Sequence, residues 1–439
     1  MNGEWYYSQL TTDYSRHITL NVTLGTNQVI KHNKANQAYM NIFVVNSGSS
    51  SIKYQFFKMP AEQPVCSGLA ERIGLENAAI THKIFVGGEE KIIKRTIDLA
   101  DHEEGLKEIA KLLADAEIGV IKDPEEIEAV GHRVVHGNET FAATTIITKQ
   151  VKEEIKKLFT LAPLHNPANY LGIEVAEKIF TKAKQVAVFD TAFHQTLPEK
   201  AFRYAIPKSF YADQHIRVYG FHGTSHKYVS ERAMEYLHKA DAKLITIHLG
   251  NGCSMAAVKN GKSVDTSMGF SPLSGLVMGT RSGDIDPSII FHLVNQLGYD
   301  PEQVNTLLNK RSGMLGLTGF SDMRDIGKAV QEGNKDAEFA LEMYAYRVKK
   351  YIGSYAAVLN GLDAIVFTAG VGENDVNTRK RICDQMEFLG IHLDEEKNKV
   401  RSTSAREINT DNSPVKILVV PTNEELEIVK QCYELLQKS

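Results

Sequence analysis

The stretch from Val44 to Phe57, VVNSGSSSIKYQFF, decides how this chain reads. An apolar run, IFVV, stops abruptly at Asn46, and a turn of serine and glycine follows. The chain then alternates, with Ile52, Tyr54 and Phe56 on one side and Lys53 and Gln55 on the other. This pattern predicts a buried strand, a tight turn and a half-buried return strand. A glycine-containing turn can bring backbone N–H groups and hydroxyls up to an anion. Ser47, Ser49, Ser50 and Ser51 add donors, and Lys53 adds a charge at the exit. The turn is not a P-loop: GxxxxGK[ST] is absent, and the chain enters a strand rather than a helix. Taken alone it reads first as an ordinary serine-rich hairpin.

The pattern returns at His248 to Ser267, HLGNGCSMAAVKNGKSVDTS, about 200 residues further on. Asn260-Gly261 inside it is a type I′ hairpin signal. Two such copies suggest a duplicated domain. Apolar strand-like runs recur at 41–45, 128–136, 185–190, 243–249, 364–370 and 415–421. Amphipathic stretches lie between them, at Glu103 to Glu117, Lys149 to Phe159, Ala168 to Lys178, His226 to His238 and Lys335 to Leu359. Strands alternating with helices indicate an α/β protein. A chain of 439 residues is too long for one simple core. The expected architecture is two lobes, each with a glycine-rich hairpin, around a central cleft.

Hydrophobic residues are 43% and charged residues 24%, with a net charge of −4. That balance gives no signal for nucleic acid or a membrane surface as partner. Cys66, Cys253, Cys383 and Cys432 are scattered, without CxxC or Cys/His metal spacing, and read as free thiols in a reducing compartment. No apolar run approaches a membrane span. Residues 1–39 are polar, hold the only tryptophan, Trp5, and lack the pattern of a secretory signal. They read as an extension outside the core, which begins at Met40.

Polar clusters fall where strands end. GHRVVHG places His132, Arg133 and His136 on an apolar run, where an arginine needs an anion or carboxylate. APLHNPAN holds His165 between prolines. FDTAFH ends a strand at Asp190, placed to face a ligand crevice, although an Asp there also commonly caps a turn. YGFHGTSH carries His222 beside glycines, and GTRSGDIDP sets Arg281 in a glycine-bounded loop. TAGVGEN follows an apolar run, and PTNEE puts Glu424 and Glu425 at the end of another, where they also suit the first turn of a helix. There is no GxSxG and no nucleophilic cysteine motif. Cations for phosphate oxygens, acids for Mg²⁺ and glycine-rich loops for a nucleotide are the inventory of phosphoryl transfer.

These motifs occur together and in order, and with them the chain from about Met40 to its C-terminus closely resembles the acetate kinase family. That family belongs to the superfamily of actin-like ATPases, sugar kinases and heat-shock ATPases. The resemblance implies a ribonuclease H-like duplicated fold, with lobe one at 40–190 plus 424–439 and lobe two at 191–423. It implies reversible transfer of the ATP γ-phosphoryl group to acetate, giving acetyl phosphate and ADP, with Mg²⁺ or Mn²⁺. It implies Asn46 and Glu424 as metal residues and Lys53 as a phosphate contact. Arg133 and Arg281 match the two arginines at the carboxylate and phosphoryl group, Asp190 the active-site acid, His222 the transition-state stabiliser and His165 a further histidine. Val135, Leu164, Phe221 and Pro272 match the acyl pocket. His248, Leu249, Gly250, Asn251 and Gly252, with Asp322, Met323, Arg324, Gly370, Val371, Gly372, Glu373 and Asn374, match the nucleotide segments. A cytoplasmic homodimer formed through the second lobe is implied as well. The rival expectations are a propionate kinase with a wider pocket and a non-catalytic ATP-binding regulator of the same fold.

Overall fold

The alternation of the opening stretch resolves as a hairpin. In the computed structural model, which describes residues 39–163 and 165–438, β1 (Met40–Ser47) pairs antiparallel with β2 (Ser51–Met59). The extension before Tyr39 and the expected pocket residue Leu164 lie outside the described residues. The register sets Asn46 opposite Lys53. Ile52, Tyr54 and Phe56 are buried while Lys53 is exposed, as period two requires.

The first sheet continues through β3 (Cys66–Glu71), β4 (Ala79–Val86) and β5 (Glu89–Thr96), all antiparallel. On the other side of β1 lie β6 (Ala129–Val134) and then β8 (Lys184–Phe189), both parallel. The short β7 (Thr145–Ile146) closes that edge. The second sheet holds β9 (Lys243–Leu249), β10 (Cys253–Lys259), β11 (Lys262–Thr266), β12 (Ala364–Thr368), β13 (Arg406–Glu407) and β14 (Lys416–Val419). The runs β3-β2-β1-β6-β8 and β11-β10-β9-β12-β14 have the same order and the same strand directions. In each, an antiparallel three-strand meander is continued by two parallel strands. The weak echo in sequence is therefore a duplicated α/β domain of the ribonuclease H-like kind, as in actin-like ATPases. Asn260 and Gly261 have φ of 53° and 71°, the positive pair a type I′ turn needs.

The parallel strands are buried on both faces. Phe43 and Val45 pack with Ile109, Leu113 and Phe180 on one side of β1. Ile42 and Val44 pack with Ile428, Val429 and Cys432 on the other, so the final helix, Glu424–Gln437, lies on the first sheet. The meander extension β3 to β5 did not stand out in sequence. Its last strand is almost wholly exposed and carries no clean apolar period. The run expected to be strand through Gly370 stops at Thr368. Ala369 has φ 64° and opens the helix Ala369–Asn374, whose first N–H donates to the Glu373 carboxylate at 2.9 Å.

Candidate active site

Strand ends from both sheets supply the site. Arg133 on β6 sits beside Val188 of β8 in the parallel register, and Asp190 follows two residues later. Arg133 Nη2 donates to Asp190 Oδ2, and the Thr224 hydroxyl donates to Oδ1 at 2.8 Å. Asp190 is 1% exposed, and both its oxygens are engaged. Its carboxylate takes these two long-range partners. Glu424 opens the final helix with Oε2 3.8 Å from Arg133 Nε, and it has no hydrogen bond among the described residues. Burial, together with the charges of Asp190 and Glu425, pushes the Glu424 carboxyl up to about 7, against the pull of Arg133. Burial works against the Arg133 charge, but Asp190 and then Glu424 hold its pKa above the ordinary value. Lys53 reaches across to Glu425 at 2.8 Å, with its own side chain half exposed.

His248 stands near the end of β9, while His222 and His165 cap helices. His222 has φ 55° and caps the helix Gly223–Leu237, whose first N–H donates to the Asp190 carbonyl at 3.0 Å. A Cβ at Gly223 would lie 2.1 Å from that carbonyl oxygen, so only glycine allows this approach. The His222 ring stacks on His248 with centroids 4.3 Å apart. Burial, then His248, His226, Arg133 and Arg281, holds His222 well below the usual histidine range. Burial, with Arg133 and Arg281, lowers His165 to about 4, so both histidines feel both arginines.

Arg281 donates to the Pro272 carbonyl at 2.9 Å, and no carboxylate of a described residue pairs with it. Burial lowers its pKa. A half-buried guanidinium without a carboxylate is placed for an anionic ligand. A Cβ at Gly252 would lie 3.4 Å from His222 Nε2 and 3.6 Å from Arg281 Nη1. The glycine loop, the histidine and the arginine therefore meet at one point. Val135 and Phe221 are buried in one apolar cluster.

A cavity of about 1120 Å³ opens beside this point. Gly250, Asn251, Asp322, Met323, Gly370 and Asn374 line it, with Arg324 and Val371. Its volume suits a nucleotide rather than a small acid. The other expected nucleotide residues sit elsewhere. Leu249 is core, His248 lies against His222, Gly252 faces His222 and Arg281, and Glu373 accepts from the backbone of Ala369 and Thr422. Gly372 gives its carbonyl to the buried Arg379.

Glu424 offers a carboxylate oxygen beside Arg133 and Asp190, Asn46 offers an amide opposite Lys53, and no group of three or more His, Cys, Asp or Glu among the described residues could hold a metal alone. Hydrogen-bond-free Glu424, beside a second acid, suits a hard cation that takes its other ligands from water and phosphate. Sequence reading missed the hydroxyls. Thr224 and Ser225 follow the His222-Gly223 pair, and Ser254 ends HLGNGCS, so the signal lay inside motifs already singled out for their histidines and glycines.

Residues 41–430 match the model of the acetokinase family. An acetate kinase of Flavobacterium johnsoniae is 62% identical over 91% of this chain and 100% of its own. The crystal structure of Porphyromonas gingivalis acetate kinase superposes with a TM-score of 0.83 at 43% identity, covering 90% of this chain and 100% of that one. That of a propionate kinase from Francisella tularensis gives 0.83 and 43%, over 89% and 98%.

Proposed function

This chain belongs to the acetokinase family, and on that premise we propose that it transfers the γ-phosphoryl group of ATP to acetate, reversibly and by direct in-line displacement. The observation that carries this reading is the pair of arginines. Arg133 is bound to Asp190, Arg281 has no carboxylate partner among the described residues, and both act on His165 and His222. A nucleotide-binding regulator has no use for that second anion site.

Acetate is ionised at neutral pH, so no strong general base is required. The work is positioning and charge neutralisation. Arg281 presents its fork to the arriving carboxylate and phosphoryl oxygens. Arg133 shares its charge between Asp190, Glu424 and the transferring group. His222 Nε2 stands beside Arg281 and stabilises an equatorial oxygen. Asp190 orients; with both oxygens engaged and no exposure it is a poor nucleophile. Asn46 and Glu424 would hold Mg²⁺, or Mn²⁺, which supplies neutralisation of the nucleotide phosphates. Lys53, opposite Asn46, adds a phosphate contact at the mouth. The cavity lined by Asn251, Asp322 and Gly370 takes the nucleoside.

Val135, Phe221 and Pro272 enclose the acyl chain. One methylene is worth about 1–3 kcal/mol of discrimination, so a modest pocket passes some propionate. Val135→Ala is expected to move the propionate-to-acetate ratio of kcat/KM up about tenfold. An unchanged ratio would take Val135 out of the pocket. Residues 40–190 with the final helix, Glu424–Gln437, form one closing lobe and 191–423 the other. The helix Ser288–Asn295 exposes Ile289, Ile290 and Phe291 and buries no side chain, which suits a second copy of the chain in a homodimer. No described helix is long and apolar enough to cross a membrane, and a cytoplasmic enzyme fits the four free cysteines.

The test is acyl hydroxamate formation from ATP, Mg²⁺ and hydroxylamine with acetate, propionate and butyrate in parallel. The strongest signal is expected with acetate. A stronger signal with propionate would favour the reading suggested by the Francisella neighbour. No signal from any acid, in protein that binds ATP, would leave only the regulator.

A further inference from the structure

Behind His222 runs a buried chain of rings and hydroxyls. His222 Nδ1 is 2.8 Å from Ser254 Oγ. The same Oγ is 2.7 Å from His226 Nε2. His226 Nδ1 is 2.7 Å from Thr246 Oγ1, which reaches the Ala256 carbonyl at 3.4 Å. Ser254, His226 and Thr246 are fully buried, so each of their polar groups needs a partner from within this chain.

The protons can be counted from the end that has no choice. A carbonyl only accepts, so Thr246 donates to Ala256. Its oxygen then accepts from His226 Nδ1–H. Neutral His226 has one N–H, so its Nε2 is bare and accepts from the Ser254 hydroxyl. Ser254 has no second proton and must accept from His222 Nδ1–H. This is the one assignment that satisfies all four contacts. The reverse assignment abandons the Ala256 contact.

We propose that Ser254, with His226 and Thr246 behind it, is a positioning residue that holds neutral His222 protonated on Nδ1. The Nε2 that faces Gly252 and Arg281 is then a bare nitrogen. It becomes a hydrogen-bond donor only when the ring takes a second proton from solvent as the phosphoryl anion arrives, and it returns that proton when product leaves. The acting form of His222 is the imidazolium, with Nδ1–H anchored on Ser254 and Nε2–H on the phosphoryl oxygen. The proposal rests on the reading of His222 as the phosphoryl stabiliser.

The test is ¹⁵N–¹H correlation of imidazole nitrogens in ¹⁵N-histidine-labelled full-length protein without ligands at pH 8, with His222 assigned by the signals lost in His222→Asn. The expected wild-type pattern is a proton-bearing Nδ1 and a bare Nε2. In Ser254→Ala the proton moves to Nε2, and kcat falls about tenfold. Ser254→Thr, which keeps the hydroxyl, restores both. A wild-type His222 with its proton on Nε2 would overturn the proposal, as would an unchanged pattern in Ser254→Ala. Wild-type kcat in His222→Asn, with the Nδ1–H pattern present in the parent, would instead remove His222 from the chemistry and leave the tautomer assignment intact.

Discussion

Arg133→Ala is expected to lower kcat for acetate by about a hundred- to a thousandfold and stability by about 3–5 kcal/mol. The two losses have one cause. Asp190 is 1% exposed and its Oδ2 takes its charge partner from Arg133 alone among the described residues. Glu424 is the next acid along, with Arg133 its only ion-pair partner among the described residues. Removing the guanidinium leaves the buried Asp190 carboxylate and the part-buried Glu424 beside it without their shared ion-pair partner. They would be relieved only by protonation, which also costs the site its charge pattern. Urea midpoints and kcat measured on the same preparations check this. Arg133→Lys separates charge from geometry, because an ammonium restores the sign but not the planar fork. It should recover most of the stability and little of the rate. A midpoint equal to wild type in Arg133→Ala would mean that Asp190 does not depend on this pair.

Gly223→Ala carries the second large effect. The added methyl would stand 2.1 Å from the Asp190 carbonyl oxygen and 3.1 Å from Phe193 Cβ. The nearest obstacle is backbone and cannot rotate away, so the start of the helix Gly223–Leu237 must move. His222 and Thr224 move with it, one on each side of the substitution. A displacement near 1 Å of positioned groups is worth about a hundredfold in rate, and overpacking of this kind costs about 1–3 kcal/mol. ATP affinity should change little, because the cavity around Asn251, Asp322 and Gly370 is built from other segments. The expected pattern is thus a low kcat with a near-normal nucleotide Kd. Full activity in Gly223→Ala would show that the contact between Asp190 and this helix does not set the catalytic geometry.

The sequence carried the frame because burial dictates pattern. β1 and β9 are buried on both faces, so IFVV and KLITIHL announce themselves, and Asn260-Gly261 names its own turn. The two sheets' common strand order was visible only as two similar hairpins, since the parallel strands that complete each sheet come from distant segments. Arg281, in a glycine-bounded loop, was legible through the family resemblance, whereas Arg133 and Asp190 were legible for a different reason. A charged side chain on or beside a buried strand has to be accounted for, and each one led to a partner or to an anion site. Ser254, Thr246, Thr224 and Glu425 were not legible. Serine and threonine are ordinary in strands and caps, and a glutamate in the first turn of a helix explains itself. Their roles depend on which ring or cation the fold brings opposite them. The helix at Ala369 was missed similarly, because it is opened by a positive φ at an alanine and a cap from Glu373.

Phosphorus is expected to pass directly from ATP to the acid, with Asp190 orienting and never bonded to it. Rapid quench of the enzyme with [γ-³²P]ATP, in the presence and absence of acetate, tests this most directly. The expected result is label in acetyl phosphate when acetate is present and none bound covalently to protein in either case. Hydroxylamine-labile label in a peptide containing Asp190, formed and consumed at the rate of turnover, would contradict it.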